Sequence, residues 1–301
     1  MHGQFDSFHL TEPSSRLDGV VHLLGDFQFG DSETGRKYAT WCLPTAWPRL
    51  SLHYGSPVSS GRWLNSRRYR SVVAGIQTDS DTLYASGPVR QITVLLKPEA
   101  AASLTAVSMG ELVNRGVELS DLFAANSVSI LEEQLAEAPD SRTRVECVEA
   151  FILRHIHLDR LEPLVLEAAT RLRRNPTLPI DQLASNLGIS TRHLLRRFRA
   201  VLHISPKLFA RIGRVGRVIA ARCRGATWAD VAVGCGYFDQ AHMVADFSAL
   251  VGCGPDQYFR AISSPGCRDS NTACVLTGFR NLVVPINTVP SRGTAPSFAS
   301  C

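Results

Sequence analysis

The sequence predicts an α+β protein: a small β-barrel-like N-terminal domain with helices, followed by an all-α domain of two helix-turn-helix units joined by a connecting helix. Three observations predict it. Short apolar runs bounded by Gly, Pro, Asp or Ser fill the first 110 residues, one pattern at helical spacing occurs twice between residues 180 and 260, and positive charge gathers in the second half. At 301 residues the chain exceeds what one hydrophobic core ordinarily fills, so two domains are expected.

The N-terminal runs are Val20 to Leu24, Leu50 to His53, Ser71 to Ile76 and Gln91 to Leu96, read as strands of a sandwich or small barrel. Helices are expected over Leu112 to Val117 and Leu122 to Glu137, the latter separated from the next by Pro139. Two more, Val145 to Leu158 and Leu161 to Arg174, lead towards the repeat. Asn175-Pro176 and Leu178-Pro179 mark a boundary, the second proline opening the first helix of the repeat. The chain thus divides into a sensor or oligomerisation domain (1–140), a helical connection (141–176), the double unit (177–262) and a Ser/Thr/Pro-rich tail (263–301).

In the first unit Ile180, Leu183, Ala184 and Leu187 recur at helical spacing, and Gly188 stands where a helix stop tolerates positive φ. Ser190 can cap a second helix that turns Leu194, Phe198 and Val201 inward and Arg192, Arg196 and Arg199 outward. Ser205-Pro206 is an N-cap with proline at the first helical position, and Gly225 closes the connecting helix. Gly213 and Gly216 inside that helix each cost roughly 1 kcal/mol relative to alanine, so packing through Phe209, Ile212 and Ile219 must hold it. About 49 residues after the first unit, Thr227 and Asp230 form a capping box for a helix ending near Gly234. A turn one residue longer then leads to a helix from about Asp239 to Leu250, with Met243, Phe247 and Leu250 inward.

An outward arginine row suits guanine edges and phosphates. Residues 141–260 carry 18 Lys and Arg against 10 Asp and Glu, whereas residues 1–140 carry 11 against 16. The basic half is the half with the repeat, and all but Lys207 of its cations are arginines, the better bidentate readers.

Leu187-Gly188-Ile189-Ser190, His193-Leu194, Arg196, Phe198, Ser205-Pro206-Lys207, Gly236-Tyr237, Asp239-Gln240-Ala241-His242, Phe247 and Gly252 through Pro255 to Tyr258 together resemble the double helix-turn-helix domain of AraC-type (AraC/XylS) transcriptional regulators, over Leu178 to Arg260. The resemblance implies double-stranded DNA as partner, with contacts from Ser190, Thr191, Arg192, Leu195, Arg196 and Arg199 in the first unit and Asp239, Gln240, Ala241, His242 and Ala245 in the second. It also implies a contact with RNA polymerase, a homodimer, and a barrel-like sensor for an unidentified small-molecule effector. Gly75 to Thr78, Ile92 to Pro98, Gly110 to Leu112 and Glu118 to Leu122 carry that last, more diffuse likeness. In the family a long basic or polar residue is common at the position of Ala245, so the second unit departs from the pattern.

Other classes find little support. There is no G-x-S-x-G elbow, H-E-x-x-H pair or phosphate-binding glycine loop, so no enzyme is expected. Neither a cofactor nor a metal is expected: the eight cysteines show no C-x-x-C, and His9, His22 and His53 stand singly. Cys147, His155 and His157 fail as a metal set, since positions 155 and 157 of one helix diverge; Cys235 and Cys253 fit as small apolar packing residues. Two alternatives remain open: a ligand-binding or enzymatic barrel with a helical appendage, and a regulator whose Cys42 senses oxidants or alkylants. No run approaches 18 apolar residues, and Asp6 and Glu12 occupy an N-terminus without an early basic cluster, so a cytoplasmic protein without a membrane partner is expected. In the tail, Val275 to Ile286 is expected to add a strand or packing arm and Val289 to Cys301 to be disordered; its end is not a C-a-a-X box.

Overall fold

The computed structural model describes residues 5–29, 38–60, 68–85, 87–104, 107–157, 161–262 and 284–286. The N-terminal half is built on two antiparallel sheets. One has six strands in the order β1 (Phe5–Thr11), β2 (Val21–Phe29), β9 (Val89–Leu96), β4 (Arg49–His53), β7 (Ser71–Ala74) and β10 (Gly116–Glu118). The other has five, in the order β11 (Val284–Ile286), β3 (Tyr38–Cys42), β8 (Asp81–Ala85), β5 (Val58–Ser60) and β6 (Arg68–Tyr69).

Strand alternation sorts the residues of the first sheet. The pairs Leu50↔Val94 and Leu52↔Ile92 share a face, and all four are buried in the core that holds Val128, Leu131 and Leu135 of α3 (Ala125–Glu137) and Val148, Phe151 and Ile152 of α4 (Ser141–His155). The opposite face is polar and equally buried, carrying Arg49, Ser51, His53, Gln91 and Thr93. Arg49 donates from Nη2 to Cys42 Sγ (3.6 Å) on the facing sheet, and the His53 ring meets Tyr69 edge-on at 6.2 Å. The helical layer is pinned by one buried ion pair, Arg144 Nε to Asp26 Oδ2 at 2.9 Å; the Tyr54 hydroxyl donates to the other Asp26 oxygen at 2.6 Å.

Two departures from expectation lie beside the junction of the two halves. The helix expected over Leu112 to Val117 is instead α2 (Met109–Leu112) followed by strand β10. Asn114 takes a left-handed φ of 56°, which ends the helix, and its amide exchanges two 2.7 Å bonds with Thr78. The chain is then free to pair with β7 at the sheet edge. A helix that the spacing did not predict, α1 (Pro98–Leu104), follows β9. Elsewhere capping side chains move the boundaries: Asp140 accepts from Thr143 N (2.8 Å) and starts α4 at Ser141, and Glu162 accepts from Val165 N (2.8 Å) and starts α5 (Pro163–Arg174).

The C-terminal half continues with α6 (Ile180–Asn186), α7 (Thr191–Leu202), α8 (Pro206–Cys223), α9 (Trp228–Gly234), α10 (Gln240–Val251) and α11 (Pro255–Ile262). Its core is continuous with that of the N-terminal half. Polar links cross the junction as well. Glu99 of α1, 2% exposed, grips Arg173 of α5 through two bonds of 2.7 and 2.8 Å, Ser80 donates to the carbonyl of Val251 at 2.8 Å, and Ser108 meets His203 at 3.1 Å. A Cβ added at Gly110 would stand 2.4 Å from the His203 ring, so α2 meets the end of α7 in close contact and a side chain there would displace that ring. In the tail, residues 284–286 pair with β3, Val284 opposite Trp41 and Ile286 opposite Ala39. The disorder expected for Val289 to Cys301 falls outside the described residues. No helix among the described residues is long and apolar enough to cross a membrane.

Candidate nucleic-acid interface

Two superimposable sets of backbone bonds build the site. In the first unit Gly188 (φ 68°) donates to Ser185 O at 3.0 Å and Ile189 donates to Ala184 O at 3.1 Å; in the second Gly236 (φ 76°) donates to Val233 O at 3.0 Å and Tyr237 to Ala232 O at 3.0 Å. Each is the left-handed glycine stop that closes a helix and reverses the chain. The second helix of each unit then starts on a cap, Ser190 Oγ accepting from His193 N (3.2 Å) and Asp239 Oδ1 from His242 N (2.7 Å). The turn of the second unit is longer by one residue, Phe238, which lies between the anchored Tyr237 and the capping Asp239.

Inward side chains match as well. Leu194, Phe198 and Leu202 of α7 and Met243, Phe247 and Leu250 of α10 are buried against α8, whose Phe209, Ile212, Val215 and Ile219 offset its two glycines; Val201 is half-buried. Cys235 and Cys253 are buried beneath the second unit, and burial raises both thiols, Cys253 to about 11.

The outward faces differ. Arg192, Arg196 and Arg199 are exposed and line one open depression with Ser190, His193 and Leu195. None of the three makes an ion pair or hydrogen bond among the described residues. The neighbouring cations are committed to carboxylates: Arg197 to Glu162 (2.5 Å), Arg211 and Arg214 to Asp246 (2.6 and 3.4 Å). Thr191, expected to face DNA, is half-buried and donates its hydroxyl to Asp181 at 2.9 Å, so it ties α7 to α6. Ser190 and Asp239 are exposed and spend their acceptors as caps.

On α10 Gln240, Ala241, His242 and Ala245 are exposed and Val244 half-buried, so the second outward face carries no cation. The His242 ring stands edge-on to Tyr237 at 5.3 Å. Sequence comparison of the two helices sets Arg197 opposite Asp246, but neither is a groove residue. Asp246 is 6% exposed and accepts from Arg211, Arg214 and the Tyr237 hydroxyl (3.1 Å), joining α10 to α8. That cluster and Phe238 were missed in the sequence; the available signal for Phe238 was the extra residue in the turn.

No group of three or more His, Cys, Asp or Glu fit for a metal occurs among the described residues. Cys42 is wholly buried and burial raises its thiol, whereas a reactive sensor thiol is exposed and lowered. The reading of Cys42 as an oxidant or alkylant sensor is therefore not favoured.

Residues 183–261 match the family model described as a helix-turn-helix domain. No curated protein sequence matches the chain significantly. Among solved structures the chain is similar to ToxT from Vibrio cholerae (TM-score 0.44, 11% identity, over 85% of this chain and 98% of that one). A fatty-acid-bound form of ToxT from strain SCE256 gives a TM-score of 0.44 at 12% identity, over 86% and 96%. The AraC-like transcriptional activator CuxR gives 0.26 at 15% identity, over 64% and 80%. The paired glycine stops, the paired caps, the free arginine row and the matched model agree: residues 183–261 are a helix-turn-helix domain of two units.

Proposed function

We propose that one chain places α7 and α10 in successive major grooves on one face of DNA, and that α7 supplies most of the sequence reading. The observation that carries this is the contrast between three arginines left without protein partners on α7 and a cation-free face on α10. Arg192 and Arg196 are the guanine readers, Arg199 a phosphate clamp, and Leu195 an apolar contact beside them. Ser190 and Asp239 hold the helix N-termini that approach the backbone, and Gln240 and His242 are the polar contacts of the second unit, with Ala241 and Ala245 on its groove face. Helix α8, 18 residues and therefore about 27 Å long, sets the spacing at roughly one turn of DNA.

The N-terminal domain acts as effector sensor and dimerisation module rather than as an enzyme. A cleft of about 250 Å³ lies between residues 44–47 and helices α5 and α8, with Trp47, Arg173, Phe209 and Arg217 in its wall, and suits a small ligand able to act on the connecting helix directly. Contact with RNA polymerase and action in the cytoplasm belong to the same reading. Inserting 5 bp between the two halves of the binding site puts them on opposite faces of the duplex. Affinity should then fall to that of the first half-site alone; undiminished affinity would contradict the two-groove geometry.

A further inference from the structure

Phe238 is 91% exposed, against 75% for Val233, 43% for Ile130 and 37% for Tyr84, the other large apolar side chains at the surface among the described residues. Looseness does not explain it. The residue before it, Tyr237, is buried, with its amide bonded to Ala232 O and its hydroxyl to Asp246; the residue after it, Asp239, caps α10. Nor does folding use the ring. A hydrophobic residue just before an N-cap ordinarily staples to the fourth helical residue, here Met243, which is already fully buried without it. A phenyl ring anchored on both sides and turned to solvent is unoccupied apolar surface.

The surface around it has the same character. Ala241 and Ala245 lie four residues apart on one exposed stripe of α10, with Val244 half-buried beside them. These positions correspond to Arg192, Arg196 and Leu195 of α7, so the stripe is continuous with the groove-reading face. In the major groove the only apolar mark on a base edge is the 5-methyl of thymine. We infer that the second unit reads thymine methyl groups by apolar contact, with Phe238 and the Ala241–Ala245 stripe as its reading surface. This rests on the assignment of α10 to a major groove. Arginine pairing in one groove and methyl contact in the next would make the site guanine-bearing on one side and thymine-bearing on the other.

The test uses the full chain and the duplex obtained by selection from random sequence. Every thymine in the half-site under α10 is replaced by deoxyuridine, which removes methyl groups and leaves the pairing edges unchanged. Each contacted methyl should lower affinity about three- to fivefold when removed. Phe238→Ser removes only exposed surface and so leaves the fold intact, and it should shrink the difference between the two duplexes by about three- to fivefold, leaving what the methyls under the Ala241–Ala245 stripe contribute. A selected half-site without thymine overturns the inference, and so does equal affinity for thymine and deoxyuridine while footprinting still protects that half-site. Equal weakening of both duplexes by Phe238→Ser also overturns it, since the ring would then serve another contact. Loss of protection over the whole half-site would instead remove the groove assignment, and the inference with it.

Discussion

A carboxylate within reach separates Arg197, Arg211 and Arg214 from the exposed arginine row of α7. Arg196 and Arg197 are adjacent, yet Arg197 turns to Glu162 at 2.5 Å while Arg196 makes no such pair and stays exposed. Sequence spacing placed Arg192, Arg196 and Arg199 on the outer face because helical periodicity fixes direction within one helix. It could not place Arg197 or Asp246, whose ion-pair partners lie 32 to 35 residues away in the chain. The same limit hid the polar face between the sheets. There His53 is 3% exposed, its Nδ1 has no hydrogen-bond partner among the described residues, and burial first, then the Arg49 charge, lowers its pKa from 6.5 to about 3. The imidazole is therefore neutral in the folded chain, whereas in the unfolded chain it takes up a proton below pH 6.5. The resulting loss of stability begins as pH falls through about 6.5 and continues towards 3, reaching about 2 kcal/mol at pH 5. Denaturant unfolding of the wild type and of His53→Gln at pH 7 and pH 5 checks it, the variant losing less on acidification. Equal losses would show that His53 titrates normally in the folded state.

At the scale of elements, the second unit hangs on Asp246. It is the only carboxylate facing Arg211 and Arg214 among the described residues, and Arg214 also lies over the Tyr237 ring at 5.0 Å. Breaking a fully buried pair costs roughly 3 to 5 kcal/mol, and the Arg211 side chain is 32% exposed, so Asp246→Ala should cost about 2 to 3 kcal/mol. Thermal unfolding together with footprinting measures this. The half-site under α10 should lose protection at a lower temperature than the half-site under α7, and a loss below about 1 kcal/mol would demote the cluster to a surface network. Elements whose signals are local were legible in the sequence. The two glycine stops, the Ser190, Ser205 and Thr227 caps and the inward rows of α7, α8 and α10 all follow from neighbouring residues. Segment 112–117 was misread as a helix because its fate depends on Asn114 bonding to Thr78 and on an open edge at β7, neither of which is local. Helix α1 was missed because it is only seven residues long, and it owes its place to the pairing of Glu99 with Arg173.

For the whole molecule, a basic C-terminal half is packed through a shared core and the Glu99–Arg173 clamp onto an acidic N-terminal half, so any movement at the junction would reach α5 and α8 directly. DNA binding by such a surface is electrostatic in large part. With on the order of 6 to 10 phosphate contacts, affinity should fall by roughly 10³ to 10⁵ between about 50 and 200 mM salt, as a titration of a labelled duplex would report. A flat response would argue against the arginine row as the binding face. The division of labour between the two units is tested most directly by selecting sites from random DNA with the wild type and with Arg196→Ala. The wild type should return a half-site of high information content, guanine-bearing, one helical turn from a half-site of low information content. Arg196→Ala should relax the first by about 1 to 3 kcal/mol at the base it reads and leave the second unchanged. Equal information in both half-sites, or an unchanged site with Arg196→Ala, would contradict the account.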